Sequence, residues 1–456
     1  MSLNRRLAAW APRLSLGLAV VLLLAVAALV GRVGSDARWL AAMGRLIATR
    51  GAIPAGIPFA ADASSHWPNV PVLGELVFHW LEQGLGDRGL MLAQLLACAT
   101  ALAVLAADSL SGGAEAAGIG RALLLAGVSS IPALAIARSQ LFSLFLFPVL
   151  CWLIRADSRR PSNRIWLAVP LLALWSNLHG GALVGLAVLE GYLLVGRLRA
   201  QPVRAVLVGV AAAAAICATP ALLGTVSYYW GVLGGQAPSS GQGLWAPLSL
   251  SSPLDVLFIV CAAVLLVQFW RARPSRWEQL VSVGLTVLAV QAGRNGVWLV
   301  LFLVPAAARS FAPRRQWQLL AVPVALASVG ILAFGLIRGP VLQGASPRLV
   351  ARALSLAHGS PVLASSTIDE QVALAGGSIV VGDPIDAFPA REQVAYLDWL
   401  NGSRRALAAL GGDVRVILVM RTGAARRTVA QDPAFALAGG DAQALLYARR
   451  GLPGVS

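Results

Sequence analysis

The chain of 456 residues contains no lysine, so all 36 of its basic residues are arginine. Charge of either sign is sparse at 12%, against 58% hydrophobic residues, and the first three quarters of the chain therefore cannot be a soluble domain. Cysteine is scarce as well. Cys98, Cys151, Cys217 and Cys261 fall inside apolar runs without metal-ligand spacing and read as small lipid-phase or core residues. The tail has no glycine-rich phosphate loop, which argues against a nucleotide site there. No convincing internal repeat is visible either, which argues against the repeated halves of a transporter.

What the chain has in quantity is apolar runs. A helix crossing the hydrocarbon needs roughly 20 apolar residues, because every backbone polar group must be paired inside the lipid. The runs predict an α-helical polytopic membrane protein of about eleven spans, near 14–33, 89–107, 121–137, 140–154, 165–178, 181–196, 205–223, 254–270, 278–293, 296–309 and 317–337. The first reads as an uncleaved anchor rather than a signal peptide. Arg138, His179 and Arg294 each sit between two short runs. These pairs predict hairpins that barely clear the membrane, or stop inside it and line a cavity.

The net charge of +16 acts as an orientation signal, and nucleic-acid binding is discounted. Arg5, Arg6 and Arg13 precede the first span and place the N-terminus in the cytoplasm. The connections then assigned to the cytoplasm hold Arg121; Arg155, Arg159, Arg160 and Arg164; Arg197, Arg199 and Arg204; Arg271, Arg273 and Arg276; and Arg309, Arg314 and Arg315. The outer connections before residue 338 hold only Arg38, Arg45, Arg50, Arg88, Arg138 and Arg294. Arg138, His179, Arg294 and the loop around Asp36 are thereby predicted to share the extracytoplasmic side.

Two segments lie outside the predicted spans. In the first loop, 34–88, Ser35 and Asp36 read as a helix start, and Trp39, Leu40, Met43, Leu46 and Ile47 recur at helical spacing. That helix is expected to lie along the membrane interface with its apolar face down. Gly51, Pro54 and Pro58 end it. A second helix, Val72 to Gln83, carries Glu75 and His79. The domain boundaries are set at 1–337 for the transmembrane part, with this loop, and 338–456 for a small extracytoplasmic α/β domain. In that tail, 361–364, 378–381, 414–420 and 444–448 read as strands, and 390–400, 404–410 and 424–430 as helices. It reads as a cap on the outer face or as an acceptor-binding lid.

These residues carry a resemblance. Asp36-Ala-Arg-Trp39, Gly44, Gly51-Ala-Ile-Pro54, Asp62 and Trp67-Pro-Asn-Val-Pro71-Val-Leu-Gly-Glu75 are similar to the first outer loop of bacterial membrane proteins of the glycosyltransferase C-type (GT-C) fold. Ala137-Arg138-Ser139-Gln140-Leu141 resembles that group's Arg-Pro-Gln-Leu hairpin, with Ser139 in place of the usual proline. Trp175-Ser-Asn177-Leu-His179-Gly180-Gly181 resembles its Trp-x-Asn-x-His-Gly hairpin, and Gly293-Arg294-Asn295 its Arg-Asn turn. In the tail, Gly382-Asp383-Pro384-Ile385 stands where many relatives show Asp-Gly-Arg.

The resemblance implies sugar transfer from a polyprenyl-phosphate donor to an extracytoplasmic acceptor. That chemistry needs a carboxylate for the acceptor proton or a divalent metal such as Mg or Mn, cations for the phosphate, and a groove for lipid. Asp36 is the expected base, or metal ligand if there is one, with Asp62 and Glu75 assisting. Arg138, Gln140, Asn177, His179, Arg294 and Asn295 are the expected substrate contacts. Blander readings stand beside each: a helix N-cap for Asp36, loop charges for Asp62 and Glu75, snorkelling for the arginines, and a helix-end hydrogen bond for His179. A multi-pass transporter and a non-catalytic subunit of an envelope-assembly complex remain the alternatives in other classes.

Overall fold

The computed structural model describes residues 3–61, 67–234, 245–311, 321–412 and 414–453. Its contacts divide the chain into two compact units. One comprises Met1–Gly31, Met91–Ala218 and Gly241–Pro340; the other comprises Arg32–Leu90, Thr219–Ser240 and Val341–Ser456.

The first unit is helical. Among the described residues three helices, Asp87–Ser111, Leu141–Arg159 and Pro253–Arg271, are long and apolar enough to cross a membrane. Five shorter apolar helices accompany them: Ser15–Leu29, Ala116–Ser129, Pro202–Ile216, Gly293–Ala308 and Pro323–Arg338. On length and composition the described residues do not confirm the expected count of about eleven spans. The helices on either side of His179, Ala168–Leu178 and Ala182–Tyr192, have 11 residues each. A 3-10 turn at Asn163–Leu167 precedes the first without a break and a π turn at Leu193–Arg197 continues the second, so each helical rod covers most of a roughly 30 Å hydrocarbon layer.

The run expected at 121–137 breaks at Ser130, and a short Ile131–Ala135 helix with Pro132 in its first turn follows. The Gln94 side chain donates to the carbonyls of Ala133 and Leu134 at 2.9 and 3.1 Å, so the last carbonyls of this short helix are paired within the protein. Every residue of the Gly296–Ala308 helix is buried, which makes it the centre of the unit.

At the helix ends away from Arg138 and Arg294, ion pairs tie the unit together. Arg155 bonds Asp108 at 2.8 Å and Glu278 at 3.2 Å, and donates to the Phe302 carbonyl at 2.7 Å while lying over the Phe302 ring. Asp157 accepts from Tyr192 at 2.6 Å and pairs with Arg197 at 3.1 Å. Arg155 therefore does more than mark orientation. Its charge is neutralised inside the bundle by groups from three other helices.

The second unit holds a four-stranded sheet in the order Val362–Ala364, Val416–Met420, Ala444–Arg449, Phe435–Gly440. The first pair is parallel and the other two antiparallel. The helices Ala390–Leu400, Arg404–Leu410 and Ala425–Ala430 form where helical spacing was read. Residues 378–381 do not form the expected strand; Ile379 makes single bridges to Ala60 and Val362. The outer strand Phe435–Gly440 was not read from the sequence, because its alanines and glycines have weak strand preference. It pairs through a register shift between Leu437 and Gly439.

Both loop helices form, as Ala37–Arg50 and Val72–Leu85. Most of the apolar face of the first is covered by protein, with Leu46 half-buried. Trp39, Leu40, Met43 and Ile47 are buried within the second unit. Gly44 permits this packing: a β-carbon there would stand 2.1 Å from the Glu75 carbonyl oxygen, so the two helices cross almost backbone to backbone.

Candidate functional site

In the second unit the centre of interest is the start of the Ala37–Arg50 helix. Asp36 sits there in the left-handed region, at φ 75°, a conformation that asparagine and aspartate tolerate better than other non-glycine residues. Its side chain does not cap the helix. The cap comes instead from Glu370 in the Ile368–Leu374 helix. One Glu370 oxygen accepts the Asp36 N–H at 2.8 Å, and the other accepts the Arg38 and Trp39 N–H groups at 3.2 Å each. The helix therefore begins where the sequence places it, with a cap of different origin.

Further carboxylates surround this turn. The Asp383 N–H donates to Asp369 at 2.9 Å, an approach that Gly382 makes possible, since a β-carbon there would lie 2.3 Å from an Asp369 oxygen. Burial first, then the charges of Asp383, Asp369 and Asp36, push the Glu370 carboxyl well above the usual range; burial and Asp383 do the same to Asp369. Asp386 is raised by burial and to a smaller degree by Asp36, against a bond from Trp67 Nε1 at 2.8 Å. Trp67 stands edge-on to both Trp39 and Tyr228, so an aromatic row borders the acids. Arg38 is buried and paired with Asp87 at 2.8 Å.

Glu75 occupies a different place. It is fully buried, accepts from Asn69 Nδ2 at 2.8 Å, and its other oxygen has no hydrogen-bond partner. Burial pushes its carboxyl up to about 8, so it is neutral at neutral pH and not the loop charge that the sequence suggested. Asp62 lies outside the described residues. Among the described residues no group of three or more His, Cys, Asp or Glu side chains is arranged to hold a metal ion.

In the first unit, Arg138, Gln140 and Arg294 line one cavity of about 300 Å³. Ser129, Ser130 and Asp255 add polar groups to its wall, and Leu254, Phe258 and Val297 add apolar surface. Arg294 stacks over the Trp245 ring at 4.7 Å. His179 is bonded to Ser143, in the first turn of the Leu141–Arg159 helix that follows Arg138 and Gln140. Trp175 Nε1 donates to Ser143 Oγ at 2.6 Å, leaving the serine hydroxyl to donate to His179 Nδ1, also at 2.6 Å; the Gly181 N–H donates to the same nitrogen at 3.1 Å. With Nδ1 used as an acceptor, the neutral ring carries its proton on Nε2. Gly181 is required here, because a β-carbon would lie 2.8 Å from Nδ1.

The remaining expected contacts face backbone. Asn177 donates to the carbonyls of Ala173 and Ala218, and Asn295 to that of Leu288. Sequence reasoning passed over Ser130 and Asp255 in the cavity wall, and Asp369, Glu370 and Asp386 near Asp36; Asp383 was noted only within Gly382-Asp383-Pro384-Ile385. A lone acid opening an apolar run, and two acids opening a tail helix, were the available signals.

The helices and the small α/β tail together have the GT-C fold seen in ArnT. The chain aligns with the crystal structure of ArnT from Cupriavidus metallidurans bound to undecaprenyl phosphate at a TM-score of 0.50 and 14% identity, over 97% of this chain and 98% of that one. The apo state of the same protein aligns at 0.49 and 15% identity, over 95% and 97%. At such identity the likeness concerns the fold. No family model and no curated protein matches the chain.

Proposed function

We propose that this chain is a membrane glycosyltransferase that moves a sugar from a polyprenyl-phosphate donor to an extracytoplasmic acceptor, with inversion at the anomeric carbon. The observation that carries the reading is the cavity lined by Arg138, Gln140 and Arg294: two guanidinium groups, a carboxamide and apolar walls suit a phosphate esterified to a lipid. The GT-C fold supports it, and so does the undecaprenyl phosphate named with its ArnT neighbour. In this reading the acceptor oxygen attacks the anomeric carbon and gives its proton to Asp36. The bond from that carbon to the phosphate oxygen breaks, and polyprenyl phosphate leaves with the electron pair, its charge held by the two arginines.

The test uses the full-length protein in detergent with undecaprenyl phosphate and, as control, undecaprenol. Native mass spectrometry is expected to find the phosphate form retained and the alcohol lost. Arg138→Ala and Arg294→Ala should each weaken retention about tenfold or more, as for the loss of a charge-assisted bond. Equal binding of alcohol and phosphate by the wild type would refute the phosphate site. Incubation with a panel of polyprenyl-phosphate sugars and membrane extract should release polyprenyl phosphate. Asp36→Asn should abolish that release while folding normally; full release would remove Asp36 from the mechanism.

A further inference from the structure

We infer that Glu370 is a positioning residue for Asp36: its two carboxyl oxygens accept from the three backbone N–H groups at the start of the Ala37–Arg50 helix and so hold Asp36 in its left-handed turn. The inference rests on the reading of Asp36 as the base, and goes beyond it by giving the tail a part in assembling the reaction site rather than covering it.

The first-turn N–H groups of a helix have no partner within the helix and need an acceptor from elsewhere. A neighbouring Ser, Thr, Asp or Asn side chain usually serves them. Here the adjacent Asp36 makes no cap bond, and both oxygens of the buried Glu370 are committed to the task. One of the bonds is to the Asp36 N–H itself, so it acts on the residue whose backbone is held at φ 75°. An aspartate that caps its own helix turns its carboxylate inward, to the N–H groups two and three residues on. With Glu370 in that place, the Asp36 carboxylate is released from the capping task. The helix that supplies Glu370 also begins at a residue in the left-handed region, Thr367 at φ 73°, which sets its first turn against the loop helix.

The test is hydrogen exchange by mass spectrometry on the full-length protein in lipid nanodiscs, read on the peptide covering 35–41. Glu370→Ala should speed exchange of that peptide about tenfold or more, while the Val72–Leu85 helix and the Val416–Met420 strand stay as in wild type. Asp398→Asn, an exposed acid of the same unit, should change nothing. Should the alanine variant fail to fold, Glu370→Gln, of the same size with one acceptor in place of two, carries the test and should show a smaller rise. In the transfer assay both variants should lose turnover with little change in KM for the lipid-linked sugar, glutamine recovering part of the loss. Unchanged exchange at 35–41 in a folded variant would overturn the inference whatever Asp36 does. Faster exchange with unaltered turnover would overturn it too. Full transfer by Asp36→Asn, by contrast, would sink the assignment of the base, whereas the exchange result depends on the capping bonds alone.

Discussion

Glu75 offers a prediction whose size follows from burial. A carboxyl pushed from its ordinary value up to about 8 by desolvation binds a proton more tightly in the folded chain than in the unfolded one. The folded state then holds more protons than the unfolded state between the two values. Stability contributed by neutral Glu75 is accordingly complete below the ordinary glutamate range, declines as pH climbs toward 8, and changes no further above it. A tenfold change in proton affinity is worth about 1.4 kcal/mol, so the full effect is on the order of 5 kcal/mol as a ceiling. Water entry upon ionisation lowers this to a few kcal/mol. Glu75→Gln keeps the shape and the oxygen that accepts from Asn69, and puts a neutral amide where the acid proton sits. Unfolding followed by tryptophan fluorescence from pH 5 to 9 should give the two proteins similar midpoints at the acid end. At pH 9 the variant should be the more stable, by several degrees at about 2–4 °C per kcal/mol for a unit of this size. Other groups titrate in both proteins and cancel in the difference. Parallel curves across the range would show that burial does not hold Glu75 neutral, and that its second oxygen finds a partner in solution.

Gly44→Ala should destabilise the second unit by about 2 kcal/mol or more, because its methyl would stand 2.1 Å from the Glu75 carbonyl oxygen; a wild-type unfolding midpoint would contradict the close crossing. Arg155→Ala should cost about 3–5 kcal/mol by leaving Asp108 and Glu278 without their buried cation, read as lost thermal stability in detergent. Arg155→Ala with Asp108→Asn and Glu278→Gln together should recover part of that loss. A cysteine at exposed Asp398 should react with a membrane-impermeant maleimide in intact cells if the tail is extracytoplasmic. Of the native cysteines Cys98, Cys151 and Cys261 are buried and Cys217 is half-buried, so the wild-type chain is labelled in parallel as the background control.

Hydropathy and punctuation made much of the helical framework legible. Helices form over the apolar runs because runs of Leu, Val and Ala leave the backbone no other way to satisfy its polar groups in lipid. The break at Ser130 was not legible. The short helix that follows it is held at its end by Gln94, whose side chain reaches two carbonyls about 40 residues away in sequence. The arginine pattern was legible as orientation, but Arg155 carried the same signal as its neighbours while serving a different end. Position along a helix says which side an arginine is on, and only its partners, here Asp108, Glu278 and the Phe302 carbonyl, say that it is a clamp between helices.

The Asp36 turn marks the sharper limit. Local rules favour an aspartate before an amphipathic helix as that helix's cap, and the sequence around Asp36 satisfies them. A local cap, however, is only one way to supply acceptors to orphan N–H groups, and an acceptor from elsewhere in the chain serves equally well once the fold has brought it near. Glu370 lies 334 residues from Asp36, so nothing in the spacing of either segment pointed to the other. Burial first, then crowding by Asp383, Asp369 and Asp36, opposes charge on Glu370, while three N–H donors favour it. Cutting those donors from three to two should therefore push Glu370 further toward its neutral form. Arg38→Pro removes one donor and, at the second helical position, leaves the first turn otherwise tolerable; it also deletes the Arg38–Asp87 pair, so Arg38→Ala is the required control. An infrared carboxyl band that grows in Arg38→Pro relative to Arg38→Ala, and is absent when Glu370→Gln is added, is the expected result; identical spectra for the two Arg38 variants would mean that the backbone donors do not govern the charge on Glu370.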